Sequence, residues 1–239
     1  MRVFSEMHKE RAMIGLIKAL IFDFDGTIID TETAWYVAFQ EAYLEHGVEL
    51  TREMYSQCIG TDLNIFDPYE YLITEKNIPL ERDSFRSAIH LRHTQLMELE
   101  QIRPGVLEYL NAAKEAGLRI GLASSSSLKW VEKYLDQLHI REYFECIRTS
   151  DHVTHVKPDP ELYIQVLECL QVKPDEAIAI EDSLNGAKAA RAAGMHCVVT
   201  PNEITRLMEF DSGYHRVNSL DELDFVQLIN DIFVSKSSE

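Results

Sequence analysis

The residues best suited to chemistry are two aspartates, Asp23 and Asp25, which directly follow the apolar run from Ala19 to Phe22. So short and apolar a run predicts a buried strand in the middle of a parallel sheet. Alternate residues of a strand share a face, so the two carboxylates lie together and Phe24 opposes them. Two like charges that close require a cation or a shared proton. Taken alone, the motif also fits an acidic turn. An EF-hand calcium loop is excluded, because its further ligands are missing.

Three further polar features lie near the ends of predicted strands: Ser124, Lys157 in a loop before a helix, and the pair Glu181-Asp182. Each has a structural alternative when taken singly. The serine could begin a helix, the lysine could be solvated, and the two acids could cap a helix. Because ligands bind beyond the carboxyl ends of parallel strands, the whole set predicts one site at that edge.

Five apolar segments predict strands: Lys18 to Phe24, Arg119 to Ser124, Phe144 to Arg148, Ala177 to Glu181 and His196 to Thr200. Helical patterns separate them, one beginning at Asp159-Pro160, and Ser219 with Glu222 forms a capping box for a terminal helix. This alternation predicts an α/β fold with a doubly wound parallel sheet. In the strand order 3-2-1-4-5, the first strand lies at the switch point.

One long segment interrupts this alternation, because the first two strands are separated by residues with helical patterns and no convincing strand. A first helix, with Thr31 as its cap, would bury Trp35, and a longer one would bury Phe85. A loop of such length without structure is implausible. We therefore predict a helical cap over residues 31–103, a Rossmann-like core over 18–30 plus 104–239, and an N-terminal extension over 1–17. The two adjacent links would form a hinge.

Composition narrows the possible partners and compartments. The formal net charge of −17 argues against a nucleic-acid partner. No apolar stretch reaches membrane-spanning length, and the first 17 residues carry charges throughout, unlike a secretory signal. The chain is expected to be a cytoplasmic monomer. Its four cysteines have no metal-ligand spacing and are predicted to be free thiols: Cys58, Cys146, Cys169 and Cys197.

Taken together, the polar motifs resemble the four motifs of the haloacid dehalogenase-like (HAD) hydrolase superfamily. They are Asp23-Phe24-Asp25-Gly26-Thr27, Ser124 after Gly-Leu-Ala, Lys157-Pro158-Asp159-Pro160 and Glu181-Asp182-Ser183. The resemblance covers nearly the whole chain after residue 17. The helical insertion looks like the type-1 cap of the phosphoglycolate phosphatase and beta-phosphoglucomutase branch.

The resemblance implies a role for each motif residue. Asp23 would attack the phosphorus of a phosphomonoester and form an aspartyl-phosphate. Asp25 would protonate the leaving oxygen and then accept a proton from the hydrolytic water, a role that requires a raised pKa. Ser124 would hydrogen-bond the transferring phosphoryl group, and Lys157 would balance its charge.

The resemblance also implies Mg²⁺, coordinated by Asp23, the Asp25 carbonyl and Asp182, with Glu181 close behind or directly ligating. Charge balance agrees, because four carboxylates and a phosphate dianion face the single ammonium of Lys157. Zinc is disfavoured, since no Cys or His accompanies the site. Two histidine pairs with i, i+3 spacing are expected to be solvated: His90 with His93, and His152 with His155.

Substrate choice in this branch lies with cap residues that face the core. The expected substrate-binding residues are Thr31, Trp35, Thr61 and, from the core, Ser125. Simple packing between cap helices is an equally open interpretation for Trp35. Beta-phosphoglucomutases carry a histidine at the position of Trp35 and an arginine at that of Leu63. Both departures weaken a mutase assignment.

The sequence therefore predicts a Mg²⁺-dependent phosphatase that hydrolyses a small phosphomonoester, such as a sugar phosphate, through an aspartyl-phosphate. Two alternatives stay open at this point. One is a beta-phosphoglucomutase-like isomerase, and the other is a non-catalytic regulator that binds a phosphorylated metabolite.

Overall fold

The computed structural model describes residues 16–59, 66–211 and 214–236. Its centre is a parallel sheet with strand order β3-β2-β1-β4-β5-β6. The strands are β1 (Ala19–Phe22), β2 (Arg119–Ala123), β3 (Cys146–Arg148), β4 (Ala177–Glu181), β5 (His196–Val199) and β6 (His215–Arg216). The predicted order of the first five strands is confirmed, with β1 between β2 and β4. The sequence missed β6, because a two-residue edge strand carries no periodicity.

Helices cover both faces of the sheet. On one face, α5 (Val106–Glu115), α6 (Leu128–Gln137) and α9 (Phe225–Lys236) pack on Leu20 and Phe22 of β1. On the other, α7 (Glu161–Leu170) and α8 (Leu184–Ala192) pack on Ala19 and Ile21. The alternate side chains of one strand thus enter two separate cores, which is why β1 has no polar residue.

In its described residues, 31–59 and 66–103, the inserted segment forms the helices α1 (Thr31–Glu45), α2 (Arg52–Ser56), α3 (Pro68–Thr74) and α4 (Arg82–Met97). They share a separate aromatic-rich cluster that includes Phe39, Tyr43 and Phe85. The buried Tyr43 hydroxyl donates to the Pro68 carbonyl at 2.7 Å. The predicted inserted helical cap is therefore present, and its boundaries at residues 31 and 103 stay a prediction.

The two links to the insertion pair with each other. Ile29 and Ile102 form an antiparallel bridge, and the Arg103 amide donates to the Ile28 carbonyl at 2.9 Å. The Arg103 guanidinium donates to the carbonyls of Gly26 and Thr200 in core loops. The second link is thus tied to the loop that carries the aspartates.

Several local predictions were wrong. Asp30, rather than Thr31, caps α1, since its carboxylate accepts from the Thr33 amide at 2.9 Å. Ser219 precedes a short 3-10 turn, and α9 begins only at Phe225, after Asp224. His93 is buried, with 2% exposure, rather than solvated, because it faces aromatic side chains of neighbouring elements.

The cysteines also differ from the prediction of four free thiols. Cys146 of β3 and Cys169 of α7 form a disulfide, because packing of this helix on the sheet brings their Cα atoms within 6.3 Å. Their separation of 23 residues carries no such signal. Cys58 and Cys197 are free. Within the described ranges, no helix combines the length and apolar character needed to cross a bilayer. Of the predicted extension, residues 1–15 lie outside those ranges.

Candidate active site

A buried lysine connects the ends of three strands. The Lys157 ammonium donates to Asp23 Oδ1 at 2.5 Å, to Glu181 Oε1 at 2.7 Å and to the Ala123 carbonyl at 2.8 Å. Only 5% of this side chain is exposed. Burial opposes the charged form, but Asp23 and Glu181 outweigh burial and hold the pKa of Lys157 above its ordinary value. The lysine is therefore a fixed positive charge beside Asp23.

Glu181 is held from several sides. Its Oε1 accepts from the buried Tyr163 hydroxyl at 2.5 Å, in addition to Lys157. Its Oε2 accepts a longer bond of 3.4 Å from Ser183. A Cβ on Gly186 of α8 would lie 1.9 Å from this carboxylate, so only glycine leaves room for it. Most of the hydrogen-bonding capacity of Glu181 is thus used by the protein itself.

Asp25 is held by side-chain donors from the core. The Trp130 indole nitrogen of α6 donates to Oδ1 at 2.8 Å, and the Ser124 hydroxyl donates to Oδ2 at 3.2 Å. Burial, followed by the charge of Asp23, raises the pKa of Asp25, and hydrogen bonds from Ser126, Trp130 and Ser124 oppose the rise. A carboxyl with a raised pKa suits proton donation near neutral pH.

Asp182 completes the acidic cluster. Its Oδ2 accepts from the buried Asn202 side chain at 2.8 Å. Gly26 has a φ of +83°, and a Cβ there would lie 2.2 Å from Asp182 Oδ2. Both the left-handed backbone and the close approach therefore require glycine in the turn after Asp25.

The chemistry of this cluster fits a hard cation. Asp23, Glu181 and Asp182 each offer an oxygen, and these oxygens lie within 4.8 Å of one another. Asp23 Oδ2 is buried and has no hydrogen-bond partner among the described residues. A buried carboxylate oxygen without a partner is costly, and a divalent cation with oxygen ligands would satisfy it. The Asp25 carboxylate is engaged by Trp130, so its backbone carbonyl is the better candidate ligand.

A cavity of about 320 Å³ opens over Asp23 and Asp25. Its lining includes Lys157, Asp182 and three of the four predicted substrate-binding residues, Thr31, Trp35 and Ser125. The fourth, Thr61, lies outside the described residues. Ser124 is fully buried behind Asp25 and is not part of the lining, whereas Ser125 and Ser126 are. Its proposed contact with a phosphoryl group stays a prediction.

Sequence reasoning missed several residues of the site. Glu32 of α1 lines the cavity, and burial together with Asp25, Asp30 and Asp23 raises its pKa to about 8. The sequence does show a polar side chain in the first turn of this cap helix, and that position could have indicated Glu32. Asn202 follows β5 and could have been found as a fourth polar strand end. Nothing in the sequence pattern indicated Trp130 or Gly186, whose roles depend on distant carboxylates.

Replacing Gly186 should destabilise the protein through Glu181. We expect Gly186→Ala to lower the free energy of unfolding by about 2 kcal/mol, because the methyl group would overlap a carboxylate that cannot move away. This outweighs the roughly 1 kcal/mol by which alanine favours a helix. Urea unfolding measures the change. The exposed Lys188→Ala in the same helix is the control and should stay within about 0.5 kcal/mol. Equal stability of the two variants would contradict the close packing.

Replacing Lys157 tests the buried charge pair. Lys157→Met should lower the free energy of unfolding by about 3–5 kcal/mol, because Asp23 and Glu181 lose their counter-charge. Burial raises the pKa of Glu181, so the variant should regain stability as the pH falls from 8 to 5 and the carboxylate takes up a proton. Unfolding curves at both pH values measure this, with the exposed Lys129→Met as control. A pH-independent loss would rule out this electrostatic cause.

Comparisons with known proteins agree with this geometry. The relative named Putative phosphatase YhcW, from Bacillus subtilis (strain 168), is 46% identical and covers 90% of this chain and 97% of its own. Hexitol phosphatase B of Escherichia coli (strain K12) is 32% identical and covers 77% and 84%. The crystal structure of CbbY from Rhodobacter sphaeroides in complex with phosphate is 35% identical, with a TM-score of 0.66, and covers 87% and 96%.

The family comparison spans both the sheet and the insertion. Residues 20–200 match the haloacid dehalogenase-like hydrolases, a range that contains all four motifs. The resemblance inferred from those motifs is therefore confirmed. This chain belongs to the haloacid dehalogenase-like hydrolase family and is an enzyme.

Proposed function

We propose that this protein is a Mg²⁺-dependent phosphatase that hydrolyses a small phosphorylated sugar through an aspartyl-phosphate. The chain is a phosphoric monoester hydrolase, and the relatives named as phosphatases support this class of reaction. The main support for the proposal is the environment of the two carboxylate oxygens of Asp23. One of its oxygens is neutralised by Lys157, and the other is buried, without a partner in the described chain, under a cavity.

The proposed reaction has two steps. Asp23 attacks the phosphorus, the bond from phosphorus to the ester oxygen breaks, and Asp25 gives its proton to the departing alkoxide. Asp25 then takes a proton from water as that water attacks the aspartyl-phosphate, which returns Asp23 and releases inorganic phosphate. Trp130 and Ser124 orient Asp25 for both transfers. Lys157 keeps its own positive charge throughout and balances the negative charge of Asp23 before the attack and after its release.

The Mg²⁺ ligands would be Asp23, Asp182 and the Asp25 carbonyl. Glu181 would act behind them, because its Oε1 already accepts from Lys157 and Tyr163 and its Oε2 accepts from Ser183. A bound Mg²⁺ would offset the excess negative charge of the carboxylates and the phosphate. Asn202 and Thr27 would keep Asp182 oriented toward it.

Three features of the cavity support a sugar phosphate. Its volume of about 320 Å³ suits a small metabolite. Glu32 and Thr31 can bind hydroxyl groups, and the buried Thr31 Oγ1 has no partner within the described ranges. The ring of Trp35 offers an apolar wall. The expected cytoplasmic location, monomeric state and lack of nucleic-acid partners stay predictions from composition.

A panel of phosphorylated metabolites tests the reaction class. With Mg²⁺, we expect release of inorganic phosphate from sugar and sugar-alcohol phosphates. Asp23→Asn and chelation should each lower the rate by at least a thousandfold, because the nucleophile or its counter-charge is lost. The exposed Asp136→Asn is the control and should keep the wild-type rate. Metabolite binding without turnover of any panel member would favour a regulator instead.

Beta-glucose 1-phosphate separates hydrolysis from isomerisation. A histidine stands at the position of Trp35 in beta-phosphoglucomutases, and here Trp35 stacks on another side chain, His93. We therefore expect water to be the acceptor, so that phosphate and glucose are the products, which coupled assays for both compounds measure. Formation of glucose 6-phosphate without phosphate release would overturn the phosphatase in favour of the isomerase.

A further inference from the structure

Three aromatic rings form a continuous stack between the inserted helices and the core. Trp35 of α1 and His93 of α4 are stacked with ring centroids 3.6 Å apart and planes at 7°. His93 then stacks on Trp130 of α6 at 5.8 Å and 18°. The indole nitrogen of Trp130 ends the series, because it donates to Asp25 at 2.8 Å. The ring of Trp130 thus connects the helices of the insertion to Asp25, the proposed acid/base residue.

The chemistry of His93 suits this position. Burial, together with nearby His90, lowers its pKa to about 4, so the ring is neutral near pH 7. A neutral ring stacks between two indoles without the cost of a buried charge. Its Nε2 has no hydrogen-bond partner in the described part of the chain, and its polar contact is with the backbone of Thr31, the first residue of α1. Stacking and this contact with the insertion together determine where His93 lies.

Trp130 has a single donor and no acceptor. When its N–H donates to Asp25, the orientation of the indole ring determines where the carboxylate oxygen lies. A shift of the inserted helices would move His93 and release the indole. A misplacement of about 1 Å in a proton-transferring group can cost a hundredfold in rate.

We propose that Trp35, His93 and Trp130 form a stack through which the position of the inserted helices orients Asp25. Trp130 is a positioning residue for the acid/base step, and His93 acts on that step through Trp130. This inference rests on the proposed function for its effect on rate, whereas the coupling of His93 to the Trp130–Asp25 hydrogen bond does not.

Steady-state kinetics on the best substrate of the panel test the effect on rate. Trp130→Phe keeps the ring and removes the N–H, so kcat should fall about tenfold while KM stays within twofold. His93→Leu should have a similar effect, and His93→Phe, which retains a ring, should restore kcat to within twofold of wild type. The double variant of Trp130→Phe and His93→Leu should match Trp130→Phe alone, because both act through one hydrogen bond.

Tyr143→Phe is the matched control, because it also removes one donor and keeps a ring, and Tyr143 donates to Asn111 outside the cavity lining. It should keep the wild-type kcat. A wild-type kcat for Trp130→Phe would overturn the proposal. The proposal would also be overturned if kcat of the double variant fell about a hundredfold, the product of the two single effects. Trp130→Phe leaves the buried His93 in place, so the kinetic test of this variant remains valid even if His93→Leu does not fold.

Tryptophan emission tests the coupling without turnover. The chain has two tryptophans, and both belong to the stack, so Trp35→Phe leaves Trp130 as the only emitter. In that background, Asp25→Ala should shift the emission maximum, because the indole N–H loses its acceptor. Adding His93→Leu should reduce the shift to less than half. An equal shift with and without His93, or no shift in either, would overturn the proposal. Absence of phosphate release by the wild type would instead reject the proposed function.

Discussion

The active-site end of the sheet depends on one buried ammonium. Lys157 lies between Asp23 and Glu181, and the three groups come from separate parts of the chain that meet only in the folded sheet. Two buried carboxylates without this cation would repel each other and lose their hydration. The ammonium therefore makes the acidic cluster compatible with folding. It also leaves one oxygen of Asp23 for chemistry, since it engages the other.

Small residues provide the space that these charges need. Gly26 and Gly186 approach Asp182 and Glu181 so closely that any side chain would overlap a carboxylate. Neither glycine lines the cavity, and neither has a reactive side chain. They allow the neighbouring backbone to pack directly against the charged side chains, and this packing fixes the orientation of the carboxylates. The orientation of the site thus comes as much from the shape of the turn after β1 and of α8 as from hydrogen bonds.

The sequence predicted the parts of the site that follow from strand order. Asp23, Lys157 and Asp182 meet because they follow β1, β3 and β4, whose carboxyl ends share one edge of the sheet, and apolar runs are enough to infer this. What it could not predict are contacts that depend on side-chain packing between elements. Trp130 reaches Asp25 across 105 residues, and Cys146 reaches Cys169 through the packing of α7 on β3. Periodicity describes which face of an element is apolar, and it does not describe which residue of another element lies opposite.

Trp35 shows why the inserted helices are the hardest part to interpret. Packing and contact with the substrate are the two interpretations of this residue, and its position is compatible with both. One face stacks on His93, and the side chain also lines the cavity over Asp23. A residue in that position links substrate size to the placement of α1 and α4. For the proposed function, specificity would therefore depend on how the insertion packs on the core as well as on single polar contacts.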